Sequence, residues 1–129
     1  KWKCFHMKSH QTPTLLNFHK RWYPFGKKIV PRDIKLTKEA LLFWYLSDGS
    51  IDFSNKKKFP NSASYRIRLA TDGFLPADNR FLMEKLAEIG LESTLTSNRI
   101  NLTASSSRRF LNMIGNAPIT CYRYKWGKQ

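Results

Sequence analysis

A chain of 129 residues, 41% hydrophobic and with a net charge of +14, can build one sizeable core and calls for a polyanionic partner, nucleic acid first and an anionic membrane surface second. No run approaches membrane-spanning length and the start lacks the apolar centre of a signal peptide, so a soluble protein is expected. Cys4 and Cys121 are too few and too distant for a disulfide framework or a zinc site, and a reducing compartment suits them best.

Residues 1–8 alternate loosely, with Trp2, Cys4 and His6 on one side and lysines on the other, as a half-buried strand would. Thr12 and Pro13 then open a helix in which Leu15, Leu16, Phe18, His19 and Trp22 recur at helical spacing up to a stop at Pro24. His6, His10 and His19 stand at no metal-ligand spacing with a thiol pair and read as packing or phosphate contacts. Residues 25–35, FGKKIVPRDIK, carry Gly and Pro punctuation and read as a basic connecting loop.

Residues 36–51, LTKEALLFWYLSDGSI, organise the chain. Ala40 to Leu46 are apolar on every face, so the segment reads as a helix that protein covers all round. Thr37 suits the N-cap, Glu39 the first turn, and Gly49 the left-handed position after the last turn. Asp48 is out of place, because a carboxylate there faces the negative end of the helix dipole and needs a cation close by, a metal or a lysine. Asp-Gly is also the commonest kind of turn after a core helix, and the local sequence leaves both readings open.

Beyond it, residues 51–54 alternate, the lysine run with Pro60 and Asn61 makes a turn, and residues 64–71 alternate again, which is a hairpin signal. Pro76 opens a helix with Asp78 in its first turn, apolar Phe81, Leu82, Leu86 and Ile89, and Gly90 as its stop. A second hairpin turns at Ser97-Asn98, a last helix runs from about Ser106 to Ile114, and the chain closes in a basic aromatic tail, CYRYKWGKQ. Four antiparallel strands would bury one face under the helices and leave the other wet. Arg66, Arg68, Thr94, Thr96, Arg99, Asn101 and Thr103 fall on that open face, with Asp52. Arg suits guanine, Asn adenine, and Ser or Thr either, so the composition fits base edges in a major groove. Lys56, Lys57 and Lys58 would hold phosphates from the hairpin turn. A merely solvated strand face would have the same composition, and the net charge favours nucleic acid. No predicted helix has the lysine-flanked amphipathic face of a membrane-surface binder.

The stretch ALLFWYLSDGSI resembles the signature helix of the LAGLIDADG homing endonucleases, in the subgroup whose motif reads roughly L-A-x-W-x-M-D-D-G. The order helix, strand, strand, helix, strand, strand, helix from Leu36 onward is also that family's topology. The resemblance implies an α+β fold, an αββαββα domain over residues 36–129 with a four-stranded antiparallel saddle sheet. Residues 1–35 would be the strand-helix tail of a preceding repeat plus a basic linker, since the opening and closing segments run parallel.

In that family two signature helices pack side by side and an acidic residue at each helix end binds a divalent metal at the DNA. Asp48 is the matching residue, for catalysis and for Mg2+. Leu46 and Ser47 stand where members usually carry one more Asp, and Leu42 and Phe43 replace small residues of other subgroups. Lys28 and Lys125 match by position the basic residues that offset charge at the scissile phosphate. Thr71-Asp72-Gly73-Phe74 aligns with a T-Q-x-F segment, so Asp72 replaces the amide. The implied activity is metal-dependent cutting of double-stranded DNA at a long site. One Asp cannot build that site, so a second motif is required, from a homodimer or from a first repeat outside this chain. The alternative is an inactive derivative that binds structured RNA, an intron maturase or ribosome-associated protein, with Tyr122, Tyr124 and Trp126 stacking on bases or packed in the core. Organelles, mitochondrion or chloroplast, are a common home of the family.

Overall fold

A computed structural model describes residues 8–54 and 64–127. The expected opening strand, Cys4, His6 and the run Lys56, Lys57, Lys58 lie outside the described residues. Helix α1 (Pro13–Trp22) begins where expected, with Thr12 Oγ1 accepting from the Leu15 amide at 3.2 Å and Pro13 in the first position. It buries no residue: Leu15, Leu16 and Phe18 are all about half exposed, and Trp22 alone packs against the core. His19 stacks on the Tyr23 ring at 5.1 Å, and a 3-10 turn at Pro24–Gly26 ends the helix. The linker that follows is irregular but anchored. Val30 is fully buried, Arg21 pairs with Asp33, and Arg32 reaches Asp78 at 2.9 Å.

Helix α2 (Lys38–Asp48) is capped by Thr37, whose Oγ1 accepts from the Ala40 amide at 3.2 Å. Its apolar residues are covered on one side only. Leu41 and Tyr45 are fully buried while Phe43 is 68% exposed, so the expectation of cover all round fails within the described residues. Gly49 is not left-handed either. Its φ of −85° and ψ of 147° are extended, because β1 (Gly49–Ser54) starts without an intervening turn. Glycine is needed there for space: a Cβ would lie 2.0 Å from Tyr45 Cδ2 and 2.5 Å from the Tyr45 carbonyl oxygen.

The strands β1, β2 (Ser64–Leu69), β3 (Ser93–Thr96) and β4 (Arg99–Leu102) form one antiparallel sheet in the order β1-β2-β4-β3. Ser97 and Asn98, at φ of 49° and 60°, make the tight turn between β3 and β4 that the sequence predicts. Ile67, Leu69, Ile100 and Leu102 point to the buried face and meet Leu41, Tyr45, Leu86 and Phe110. Between the hairpins runs α3 (Pro76–Glu88), opened by Pro76 and followed by the left-handed Gly90. Helix α4 (Ala104–Ile114) begins two residues before the expected Ser106, because Thr103 is its N-cap and accepts from the Ser106 amide at 3.2 Å. The chain then returns as a 3-10 segment, Thr120–Trp126, against β1 and α2. From Lys38 onward the order is αββαββα, as expected.

Candidate functional site

The C-terminal end of α2 brings together three of the anticipated features. Asp48 is exposed, and among the described residues its carboxylate makes no hydrogen bond or ion pair. The cation expected near it is a lysine. Lys125 is 7% exposed, and its Nζ donates to the Tyr45 carbonyl at 3.1 Å and the Leu46 carbonyl at 2.7 Å, the last-turn acceptors of α2. A positive charge there opposes the negative end of the dipole, which lets a carboxylate follow. Tyr45 closes the arrangement by donating its hydroxyl to the Lys125 carbonyl. Burial lowers the Lys125 ammonium below the usual lysine range, an effect that the nearby Asp48 charge partly offsets. Burial likewise pushes the Tyr45 phenol well above the usual tyrosine range, with Tyr65 and Tyr124 adding to it.

Lys28 lines a cleft of about 500 Å3 together with Asp48, Phe18, Trp22, Ala40, Trp44 and Phe74. Its Nζ sits over the Phe74 ring, 4.3 Å from the centroid. The outward residues of α2, Ala40 and Trp44, therefore face this cleft together with Asp48 and Lys28. Among the described residues there is no cluster of three or more His, Cys, Asp and Glu side chains. Asp48 is thus a single carboxylate, and a divalent-metal site there would need further ligands from elsewhere.

The open face of the sheet is the second candidate surface. Arg66 stands opposite Asp52, Arg68 opposite Asn101, Asn101 opposite Thr94, and Arg99 opposite Thr96. The alternation that buries Ile67, Leu69, Ile100 and Leu102 turns all of these outward. Arg68 donates from Nε to Asn101 Oδ1 at 3.0 Å and from Nη2 to Asp52 Oδ2 at 3.3 Å. Asn101 Nδ2 donates to the Arg99 carbonyl at 3.1 Å. Asp72 accepts from Arg99 Nε at 2.8 and 2.9 Å. Thr103 is off this face. Its hydroxyl belongs to the α4 cap and bonds Ser106 Oγ at 3.0 Å. Trp126 is partly buried and packs against the core, donating Nε1 to the Gly115 carbonyl at 2.7 Å and standing edge-on to Tyr45 at 5.3 Å, whereas Tyr124 is exposed.

A latch that the sequence did not announce holds the loop between β2 and α3. Asn98 Nδ2 donates to the carbonyls of Asp72 at 3.2 Å and Phe74 at 2.8 Å, and buried Asn79 donates to Asn98 Oδ1 at 2.8 Å. Asn98 is legible as a turn residue, but nothing in its spacing tells which carbonyls its amide will find.

Against known proteins, residues 2–110 match the family model described as the LAGLIDADG DNA endonuclease family. The chain is 42% identical over 66 residues to an uncharacterized protein, MJ1098, of Methanocaldococcus jannaschii, a match that covers 51% of this chain and 23% of that protein. It also superposes on the homing endonuclease I-WcaI bound to its DNA recognition sequence, with a TM-score of 0.68 at 22% identity, over 89% of this chain and 52% of that one. The chain therefore spans about a quarter of the first of these proteins and half of the second.

Proposed function

The chain belongs to the LAGLIDADG DNA endonuclease family, and from that premise we propose that it binds double-stranded DNA on the open face of its sheet and cuts it by metal-dependent phosphodiester hydrolysis at a long site. The observation that carries the reading is Asp48, a solvent-facing carboxylate at the end of α2 with no hydrogen bond or ion pair among the described residues, beside a lysine that answers the helix dipole.

Each residue has a separate task in this reading. Asp48, with the matching acid of a second motif helix, would hold Mg2+, which supplies Lewis acidity toward the scissile phosphate. Lys28, which lines the same cleft as Asp48, offsets charge developing on that phosphate. Lys125 already donates to two main-chain carbonyls, so its first task is to fix the helix end that carries Asp48. Arg66, Arg68 and Arg99 face the bases and the phosphates beside them. The second motif packs on the uncovered side of α2, where Ala40, Phe43 and Ser47 are exposed. It comes from a second copy or from a first repeat of which residues 1–35 are the end. An organelle genome is the proposed setting.

The test is cleavage of a randomised duplex library in Mg2+ by the chain and by its Asp48→Asn variant, with binding to structured RNA measured alongside. Metal-dependent cuts at one long site, absent with Asp48→Asn, support the nuclease. Tight RNA binding without cutting, unchanged by Asp48→Asn, overturns it in favour of a nuclease fold that holds RNA.

A further inference from the structure

The two arginines at the middle of the open face are held in the same manner. Arg99 gives its Nε to the Asp72 carboxylate, and Arg68 gives its Nε to Asn101 and its Nη2 to Asp52. In both guanidinium groups Nε is occupied, and in Arg68 Nη2 is as well. Among the described residues Nη1 of neither arginine makes a hydrogen bond, so an outer edge of Nη1 and the second hydrogen of Nη2 is left to a ligand. That outer fork is the one that matches guanine O6 and N7 together. Asn101 is engaged at both ends: its Oδ1 accepts from Arg68 and its Nδ2 donates to the Arg99 carbonyl, so the amide is oriented toward the two arginines, with one lone pair and one hydrogen left over.

We propose that Arg68 and Arg99 determine specificity by each reading a guanine, and that Asn101 and Asp72 are positioning residues that aim them. The proposal rests on the reading that this face lies in a DNA major groove. Exposed ion pairs contribute little to stability, so the gain from the Asp72 contact is orientation: a guanidinium fixed before binding loses less rotamer freedom when it meets its base. The main chain of Asp72 is itself held, since Asn98 Nδ2 donates to the Asp72 carbonyl at 3.2 Å. The register sets the spacing. Arg68 is opposite Asn101, and Arg99 lies two residues from Asn101 on the same strand. At about 3.4 Å per residue along a strand and about 5 Å between strands, the two Cα atoms are about 8 Å apart. The two guanines therefore fall within about three base pairs of each other.

The experiment is selection of bound duplexes from a randomised library by the whole chain in EDTA, so that no strand is cut, followed by sequencing for each variant. The native chain is expected to enrich two G·C pairs within about three positions. Arg68→Lys erases one column and Arg99→Lys the other, each by about tenfold in base preference. Asp72→Ala flattens the Arg99 column while Asp72→Asn, which keeps an acceptor oxygen for Nε, restores it. Asn101→Asp keeps the Arg68 column, because the acceptor survives, and Asn101→Ala loses it. If Asn101→Asp instead removes an A·T column, Asn101 reads adenine and the proposal is overturned. Enrichment of sites without the paired guanines overturns it while leaving duplex binding standing. Retention of structured RNA with no sequence preference among duplexes overturns it together with the DNA reading itself.

Discussion

Helix α4 buries Phe110 and Ile114 beneath the sheet, whereas α1, one residue shorter and equally divided into apolar and polar sides, buries nothing. Phe110 is fully buried against the Tyr45 ring and Phe18 is 54% exposed. The basic exits differ in the same sense. After α4 comes Lys125, enclosed and bonded to the end of α2, and after α1 comes Lys28, lying on the Phe74 ring at the edge of an open cleft. An apolar stripe shows that a helix will be covered but not what covers it. For α4 the cover is the sheet of its own repeat. For α1 it is absent among the described residues.

The largest contrast is expected in the phenylalanines. Phe110→Ala removes a ring with no solvent contact and should cost about 4 kcal/mol in chemical denaturation. Phe18→Ala should shift the midpoint by no more than an ordinary surface change, about 0.5 kcal/mol. Comparable losses would break the comparison, because they would mean that α1 is packed in the chain as it stands. A Phe18→Ala loss that grows with protein concentration would sharpen it, by showing that a second copy supplies the cover.

The lysines come next. Lys125→Ala leaves the Tyr45 and Leu46 carbonyls without their charged donor and should cost about 2 kcal/mol, whereas Lys28→Ala should leave the denaturation midpoint near its native value. On cutting, the proposed roles reverse the ranking, since Lys28 is the residue placed to meet the phosphate. A Lys28→Ala chain that unfolds as early as Lys125→Ala would show that Lys28 is structural after all.

How legible these features were depends on whether a residue's role is set by its neighbours in sequence or across the fold. Thr12-Pro13, Thr37, Pro76 and the Ser97-Asn98 turn act on backbone within a few residues, and the structure has each where the sequence predicts it. The alternation that puts Arg66 and Arg68 on the wet face was equally readable, because a strand's period is two. Gly49 was misjudged. Its reason is the Tyr45 ring one helical turn back, not a left-handed backbone, and only the direct run from α2 into β1 creates that contact. The same holds for Thr103, where a strand pattern ran one residue into a helix cap. The uncovered side of α2 was hidden for another reason: an apolar composition on every face gives no sign of which residues the fold will leave exposed, as it does Phe43.

Alkaline pH should separate the two halves of the buried clamp at the end of α2. Lys125 titrates below the ordinary 10.5 in the folded chain, so between its lowered value and 10.5 the unfolded state binds more protons and stability rises with pH. Tyr45 titrates above the ordinary 10.0, so beyond pH 10 the folded state keeps a proton that the unfolded state loses, and stability falls as pH rises. Lys125→Met should remove the rise and Tyr45→Phe the fall, each read as the difference from native in urea midpoints across pH 8–11. A Tyr45→Phe profile that still declines as steeply as native above pH 10 would assign the fall to other groups.

The smallest effect lies in two glycines at matching exits. Gly26 follows α1 and Gly127 follows the 3-10 segment after α4, with φ of 72° and 70°. Alanine at either position pays a left-handed backbone strain of about 1 kcal/mol. The surroundings differ. A Cβ on Gly26 meets nothing within 4 Å, whereas one on Gly127 would lie 2.7 Å from Phe53 Cζ. Phe53 is held beside Tyr65, with ring centroids 6.2 Å apart, so the ring can yield only by disturbing that pair. Subtracting the two alanine variants cancels the shared backbone strain and isolates the contact, which should leave Gly127→Ala less stable by a further about 0.5–1 kcal/mol. Equal losses would show that Phe53 moves aside freely, and that the closing segment is seated on β1 less firmly than the buried Lys125 beside it.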